Sequence, residues 1–212
     1  MEMAHFVTIA VLASGSGTNL EAILTRIESG DLPATVVTVL SDNPEAFALE
    51  RARSRDIPGR VIELKDYPDR ASFDRAVLEA VRGSGAELVV LAGYMKLVSD
   101  EMVEAFRGRI MNIHPALLPC FPGEHGVRDA LDYGVKVSGV TVHFVDEGLD
   151  TGPVIVQIPV PVEEGDDEES LHARIHEAEY RAYPEAIDLF ARGRLLLDGR
   201  KVRVLPEDGT GA

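Results

Sequence analysis

Four β-rich runs separated by helix-length stretches fill the first half of the chain, and this alternation constrains the fold more than any other feature. The runs are His5 to Leu12, Ala34 to Leu40, Arg60 to Leu64 and Glu87 to Leu91, rich in the branched residues that suit strands. Between the last two, Phe73, Val77 and Val81, backed by Ala76 and Ala80, recur at helical spacing and mark one apolar face. Strands that alternate with helices call for a parallel sheet, because a parallel neighbour is reached only through a crossover. The expected fold class is α/β: a single-domain, Rossmann-like, mostly parallel sheet with helices on both faces, which binds ligands at the carboxyl ends of its strands.

From Ile110 the rhythm changes. A short strand into Asn112 is followed by a Pro/Gly loop, a short helix near Asp129 and two long β-rich runs, Val137 to Val145 and Pro153 to Val162. The second half therefore reads as a mixed extension of the same sheet. The acidic stretch Glu163 to Glu169 precedes a helix whose Leu171, Ile175, Ala178 and Ala182 share a face. Carboxylates at that place suit a helix N-terminus, so they read as a charged cap rather than a metal site. Asp198-Gly199, between two short apolar runs, signals a terminal hairpin. With no linker or repeat, one domain over 1–212 is expected, its N-terminal half about 1–108 and its C-terminal half about 109–205, with the last few residues frayed.

The 212 residues, 45% of them hydrophobic, suffice for one sizeable core. Lys+Arg 21 against Asp+Glu 36 leaves a formal charge of −15, which repels nucleic acid and anionic membranes, so an anionic ligand must be held by local donors. The one cysteine, Cys120, forms no disulfide within the chain, and the first residues lack a basic segment followed by a long apolar one. A cytoplasmic protein with small-molecule substrates is expected, as monomer or homodimer, with no nucleic acid and no membrane.

Three places carry chemistry. The first strand runs into Ala13-Ser-Gly-Ser-Gly-Thr-Asn-Leu20; small residues before a helix let main-chain N–H groups curl around an anion, though the same pattern serves as a tight turn. Asn112 and His114, two apart on an extended segment, project to one face, and the prolines after them lead the chain out of the sheet. Asp150, in Gly148-Leu-Asp-Thr-Gly-Pro153, follows another strand. An amide, an imidazole and a carboxylate at strand ends can respectively stabilise an oxyanion, move a proton near neutral pH, and orient the imidazole and hold it charged. His143 lies within a β-rich run and reads as a packing or hydrogen-bonding residue. His172 and His176 stand i, i+4, but the intervening residues lack the Glu of a His-Glu-x-x-His site, and Cys120 has no basic neighbour; neither a metal nor a cysteine nucleophile is expected.

Taken together, Ser14-Gly-Ser-Gly-Thr-Asn19, Leu91-Ala-Gly-Tyr-Met-Lys96, Asn112-Ile-His-Pro-Ala-Leu-Leu-Pro119 and Val142-His-Phe-Val-Asp-Glu-Gly-Leu-Asp-Thr-Gly-Pro153 resemble the phosphoribosylglycinamide formyltransferases, folate-dependent enzymes of purine synthesis. The resemblance runs from near residue 6 to about residue 192. It implies the formyltransferase fold, 5-phosphoribosylglycinamide as acceptor and 10-formyltetrahydrofolate as co-substrate, without a metal. It also places the acceptor's phosphate at Gly17, Thr18 and Asn19, an acid near the acceptor's amine at Glu179, folate contacts at Arg70, Met95, Lys96, Leu97, Val98 and Asn112, and catalysis at Asn112, His114 and Asp150. Two departures stand out: Ala116 where serine is common, and Val127 where a second histidine often follows His125.

Rival readings are weighed on the same residues. Formyltransferases that act on initiator tRNA need a basic surface and a further C-terminal domain. A formyltetrahydrofolate hydrolase would use the same trio on water, but that family usually carries an N-terminal regulatory domain, whereas the first strand here begins within a few residues of Met1. A silent ligand-binding protein would be expected to have lost one of the trio.

Overall fold

The computed structural model describes residues 6–207. In chain order they form β1 (Val7–Leu12), α1 (Thr18–Glu28), β2 (Ala34–Ser41), α2 (Phe47–Arg53), β3 (Gly59–Val61), α3 (Arg70–Gly83), β4 (Leu88–Leu91), α4 (Asp100–Ala105), β5 (Ile110–His114), α5 (Gly126–Tyr133), β6 (Val137–Phe144), β7 (Val154–Pro161), α6 (Glu168–Ala191), β8 (Leu195–Asp198) and β9 (Lys201–Val204). Seven strands make one mostly parallel sheet in the order β3-β2-β1-β4-β5-β6-β7, while β8 and β9 pair separately. The fold is the α/β architecture expected. The chain packs as two compact units, one ending at Met111 and the other beginning at Asn112.

In the first unit β1 pairs in parallel with β2 on one side and β4 on the other. The chain leaves β1 in one direction through β2 and β3, then returns to its other side at β4. That reversal puts the carboxyl end of β1, and the turn that follows it, where open α/β sheets bind ligands. Ile9 to Leu12 are 0% exposed, as expected of a strand covered on both faces. Phe73, Val77 and Val81 of α3 are buried as the helical spacing requires, and Asp69 caps that helix by accepting from the Ser72 N–H at 2.7 Å. The run Arg60 to Leu64 is corrected: pairing stops at Val61, and Leu64–Asp66 form a 3-10 turn. β3 is exposed along its length and lies at the sheet edge, so its β-branched residues have a partner strand on one side only. His5, placed in the first strand from sequence, lies outside the described residues.

In the second unit β6 and β7 run antiparallel from Val137 opposite Pro161. Gly139 is required there, because a Cβ would lie 2.3 Å from the Ile158 carbonyl oxygen. Leu171, Ile175, Ala178 and Ala182 of α6 are buried. The acidic stretch before α6 does cap it: Asp167 accepts from Ser170 N–H at 2.8 Å while Ser170 Oγ accepts from Asp167 N–H at 3.0 Å. Asp166 receives the Arg174 guanidinium at 2.8 and 2.9 Å. The terminal hairpin pairs Asp198 with Lys201 and turns through Gly199 at φ 58°. The end expected to fray lies outside the described residues, and no described helix is long and apolar enough to cross a membrane.

Candidate active site

The second unit gathers the polar trio, and the strand pleat explains how. Asn112 and His114 stand two residues apart on β5, so their side chains share a face. Asp150 is carried between β6 and β7 on a loop that is tied down locally. Gly148 N–H and Thr151 Oγ1 both donate to Asp146 Oδ1, at 3.1 and 2.6 Å. At Gly152 a Cβ would lie 1.7 Å from the Phe144 carbonyl oxygen, so only glycine passes. Asp150 itself takes φ 53°, a left-handed conformation that an Asp tolerates better than most residues. Its carboxylate accepts the Gly123 N–H at 2.8 Å, stands 3.4 Å from His114 Nδ1, and lies 3.5 Å from Asn112 Nδ2.

His143 belongs to this cluster, which sequence reasoning missed. Its Nε2 lies 3.3 Å from Asn112 Nδ2 and 3.7 Å from Asp150 Oδ1. Its Nδ1 is 2.8 Å from the Phe144 carbonyl, which can only accept, so Nδ1 carries the proton. In the neutral ring Nε2 then accepts from the Asn112 amide, and His143 fixes which edge of that amide is the donor. The available signal was its position on a buried strand with a second histidine and an Asn on another; the pairing of the strands was needed to use it.

His114 is 3% exposed. Its Nε2 donates to the Phe121 carbonyl at 2.7 Å, and its Nδ1 faces the Asp150 carboxylate. Both neighbours favour the charged ring, but burial is the largest influence and pulls the imidazole below its ordinary value. Asp150 does favour the charged imidazole, as expected, but at 3.4 Å its attraction is outweighed by loss of solvent. For Asp150 burial is also the largest single influence and pushes upward, yet the His143 contact, the Gly123 N–H and the charge of His114 together hold it below the usual carboxylate range. Both shifts favour a carboxylate beside a neutral imidazole.

Glu179, on α6, is 4% exposed and accepts from His176 Nδ1 at 2.8 Å. That hydrogen bond is the main reason the His176 imidazole is raised, and the charge of Glu179 also reaches His114. The His172 and His176 rings stack with centroids 4.3 Å apart, and His176 is committed to Glu179. Among the described residues no group of three His, Cys, Asp or Glu is arranged to hold a metal ion. Ala116 is fully buried, its carbonyl accepting from Thr141 Oγ1 at 2.7 Å, and Val127 is buried as well. Cys120 is exposed.

The first unit holds the small-residue turn and the 95–98 segment. Gly17 caps α1 at φ 69°, and a Cβ there would lie 2.7 Å from Ala48 Cα. Thr18 and Asn19 open the helix, so the turn presents the positive end of α1. Ser14 links it to the other segment: its Oγ donates to Asp42 and accepts the Met95 N–H at 2.8 Å. Met95 and Leu97 are 66% and 67% exposed. Arg70 is engaged, chelating Asp74 at 2.7 and 2.9 Å and donating to the Leu97 carbonyl. Lys96 Nζ stands 3.6 Å from Asp42. A small surface depression is lined by Asp74, Val77, Tyr94, Leu97, Val98, Ser99 and Met102.

Known proteins resemble this chain along most of its length. The family described as formyl transferase matches residues 7–187. The phosphoribosylglycinamide formyltransferase of Bacillus subtilis (strain 168) is 46% identical over 178 residues, 84% of this chain and 91% of that protein. The crystal structure of glycinamide ribonucleotide transformylase 1 from Symbiobacterium toebii superposes with a TM-score of 0.94 at 51% identity, covering 96% of both chains. A formyltetrahydrofolate deformylase from Pseudomonas syringae pv. tomato superposes at 0.89, but with 26% identity and only 67% of its own chain covered.

Proposed function

The chain belongs to the formyl transferase family, and on that premise we propose how its residues divide the work between two substrates. It is an enzyme of purine biosynthesis that transfers a formyl group from a folate-derived donor to phosphoribosylglycinamide. The donor is 10-formyltetrahydrofolate, held along Met95, Lys96, Leu97 and Val98, with Arg70 and Lys96 meeting its glutamate carboxylates. The acceptor's phosphate sits on main-chain N–H groups of the turn from Gly15 to Asn19, those of Gly17, Thr18 and Asn19 among them, and Glu179 attracts its amine. Main-chain donors suit this role in a chain of formal charge −15, which also disfavours nucleic acid. A cytoplasmic monomer or homodimer completes the reading.

The observation that carries the mechanism is the set of contacts among Asn112, His114, Asp150 and His143. Attack of the acceptor amine on the formyl carbon makes a tetrahedral species with a negative oxygen. One amide hydrogen of Asn112 is engaged by His143; the other donates to Asp150 in a long bond of 3.5 Å, which it exchanges for that oxygen as charge develops on it. The amine must lose a proton, and the folate nitrogen must gain one as the carbon–nitrogen bond to it breaks. Neutral His114 takes the first proton, directly or through water, Asp150 stabilises the imidazolium formed, and the same proton then goes to the leaving nitrogen. The balance requires neither a metal nor a covalent enzyme intermediate.

The test is deformylation of 10-formyltetrahydrofolate with and without 5-phosphoribosylglycinamide. Turnover that depends on the acceptor is expected. Equal turnover in its absence would make the protein a hydrolase and overturn the assignment of Glu179 and the turn to the acceptor.

A further inference from the structure

The turn between β1 and α1 is held from behind by one stretch of chain, Asn43 to Arg51. Three consecutive carbonyls of the turn receive donors from it: Ser14 O from Asn43 Nδ2 at 3.1 Å, Gly15 O from Ala48 N–H at 3.2 Å, and Ser16 O from Arg51 Nε at 2.9 Å. Across a trans peptide the carbonyl and the following N–H point in opposite directions, and the peptide bonds of this turn are trans. The N–H groups of Gly15, Ser16 and Gly17 therefore face away from the Asn43–Arg51 stretch. Successive N–H groups released in this way make an anion-binding concavity.

We infer that Asn43 and Arg51 are positioning residues for the acceptor's phosphate, aiming these N–H groups at it without touching it. The inference rests on the assignment of the turn to that phosphate. Each side chain is itself fixed. Asn43 Oδ1 accepts the Glu45 N–H at 3.0 Å, which turns the Nδ2 edge of the amide to Ser14. Arg51 donates from Nη1 to Glu21 at 2.7 Å and lies over the Phe47 ring, 4.9 Å from its centroid. Glu21 and Glu28 together balance Arg51 and Arg55, so the Arg51 guanidinium contributes orientation more than net positive potential. The third donor, Ala48 N–H, is main chain; Asn43 and Arg51 are the two members of the brace that substitution can remove.

Two variants test it without adding negative charge. Asn43→Ser keeps a hydroxyl for the Glu45 N–H but is too short for Ser14 O. Arg51→Lys keeps the charge for Glu21 but loses the planar fork that serves Ser16 O and Glu21 together. The measurement is kcat/KM for 5-phosphoribosylglycinamide and for the same acceptor lacking its phosphate, at fixed donor, with ribose 5-phosphate as inhibitor for a second reading. The ratio of phosphorylated to unphosphorylated acceptor falls about tenfold in each variant, the effect of disordering one or two main-chain donors, and ribose 5-phosphate inhibits more weakly by a similar factor. A ratio equal to that of wild type in both variants overturns the positioning role, whether or not activity falls on both acceptors. A wild-type enzyme that does not prefer the phosphorylated acceptor, and is not inhibited by ribose 5-phosphate, overturns the phosphate assignment itself and the inference with it.

Discussion

Gly17→Ala is the sharpest test of the way the turn is built, because Gly15→Ala, two residues away, is its control. At Gly17 φ is 69°, and an added Cβ would stand 2.7 Å from Ala48 Cα and 2.8 Å from Ala48 Cβ; at Gly15 a Cβ meets nothing within 4 Å. A left-handed conformation costs a residue with a Cβ about 1–2 kcal/mol. Forcing backbone apart by a few tenths of an ångström adds about 1–3 kcal/mol. The total, about 2–5 kcal/mol, is a large share of the roughly 5–15 kcal/mol by which a domain is stable. In urea unfolding the midpoint should fall by about 1 M or more for Gly17→Ala and stay near wild type for Gly15→Ala. Ala48→Gly added to Gly17→Ala should restore little, since the nearest obstacle is the Ala48 Cα, which glycine retains. Equal midpoints for the two single variants, or full rescue by Ala48→Gly, would refute the reasoning.

Asp150→Asn should lower turnover and move the histidine limb of the pH–rate profile to lower pH, because the carboxylate is what opposes the downward pull of burial on His114; Asn112→Ala should lose about 3 kcal/mol of transition-state stabilisation and leave that limb in place. Folding stability should carry the mark of His114 as well. Its folded value is lowered, so its contribution is present above the ordinary histidine value and is lost as pH falls through the lowered one. Comparing urea midpoints at about pH 5 and about pH 7.5, His114→Asn should narrow the gap seen in wild type; His176, raised and opposite in sign, is the same in both chains. Arg70→Ala with Lys96→Ala should raise the donor's KM and leave the acceptor's unchanged, and an unmoved donor KM would remove both residues from the folate site.

The sheet was legible because its central strands are buried on both faces and so read as unbroken apolar runs; Ile9 to Leu12 and Val89 to Val90 have no solvent side to interrupt them. The reading failed at Arg60 to Leu64 for the complementary reason. There the branched Val61 and Ile62 suit a strand, but the sheet has ended, and only Gly59–Val61 find a partner. α2 and α4, of 7 and 6 residues, are too short for a helical period to repeat, so they passed as connections. Yet α2 is the element that backs the turn at Gly17, and the need for glycine there lies in Ala48, 31 positions away.

At the site, Asn112 and His114 were visible because alternation along a single strand is a local property. His143 was not, since its contact with Asn112 depends on β5 and β6 being neighbours in the sheet. The net balance at His114 was not legible for a related reason. A sequence shows that Asp150 is available, but the balance between its attraction and the cost of burial depends on how far the ring is removed from water. The corrected balance suits the reaction better. Were the imidazole charged at rest, Asp150 would stabilise the ground state and the transition state alike, and would gain little rate by doing so. With a neutral ring, the attraction across 3.4 Å is weak until the amine's proton arrives. It strengthens as the imidazolium forms, in a site already emptied of solvent. In the proposed mechanism the carboxylate then acts chiefly on the step in which charge develops, which is where a stabilising interaction accelerates turnover.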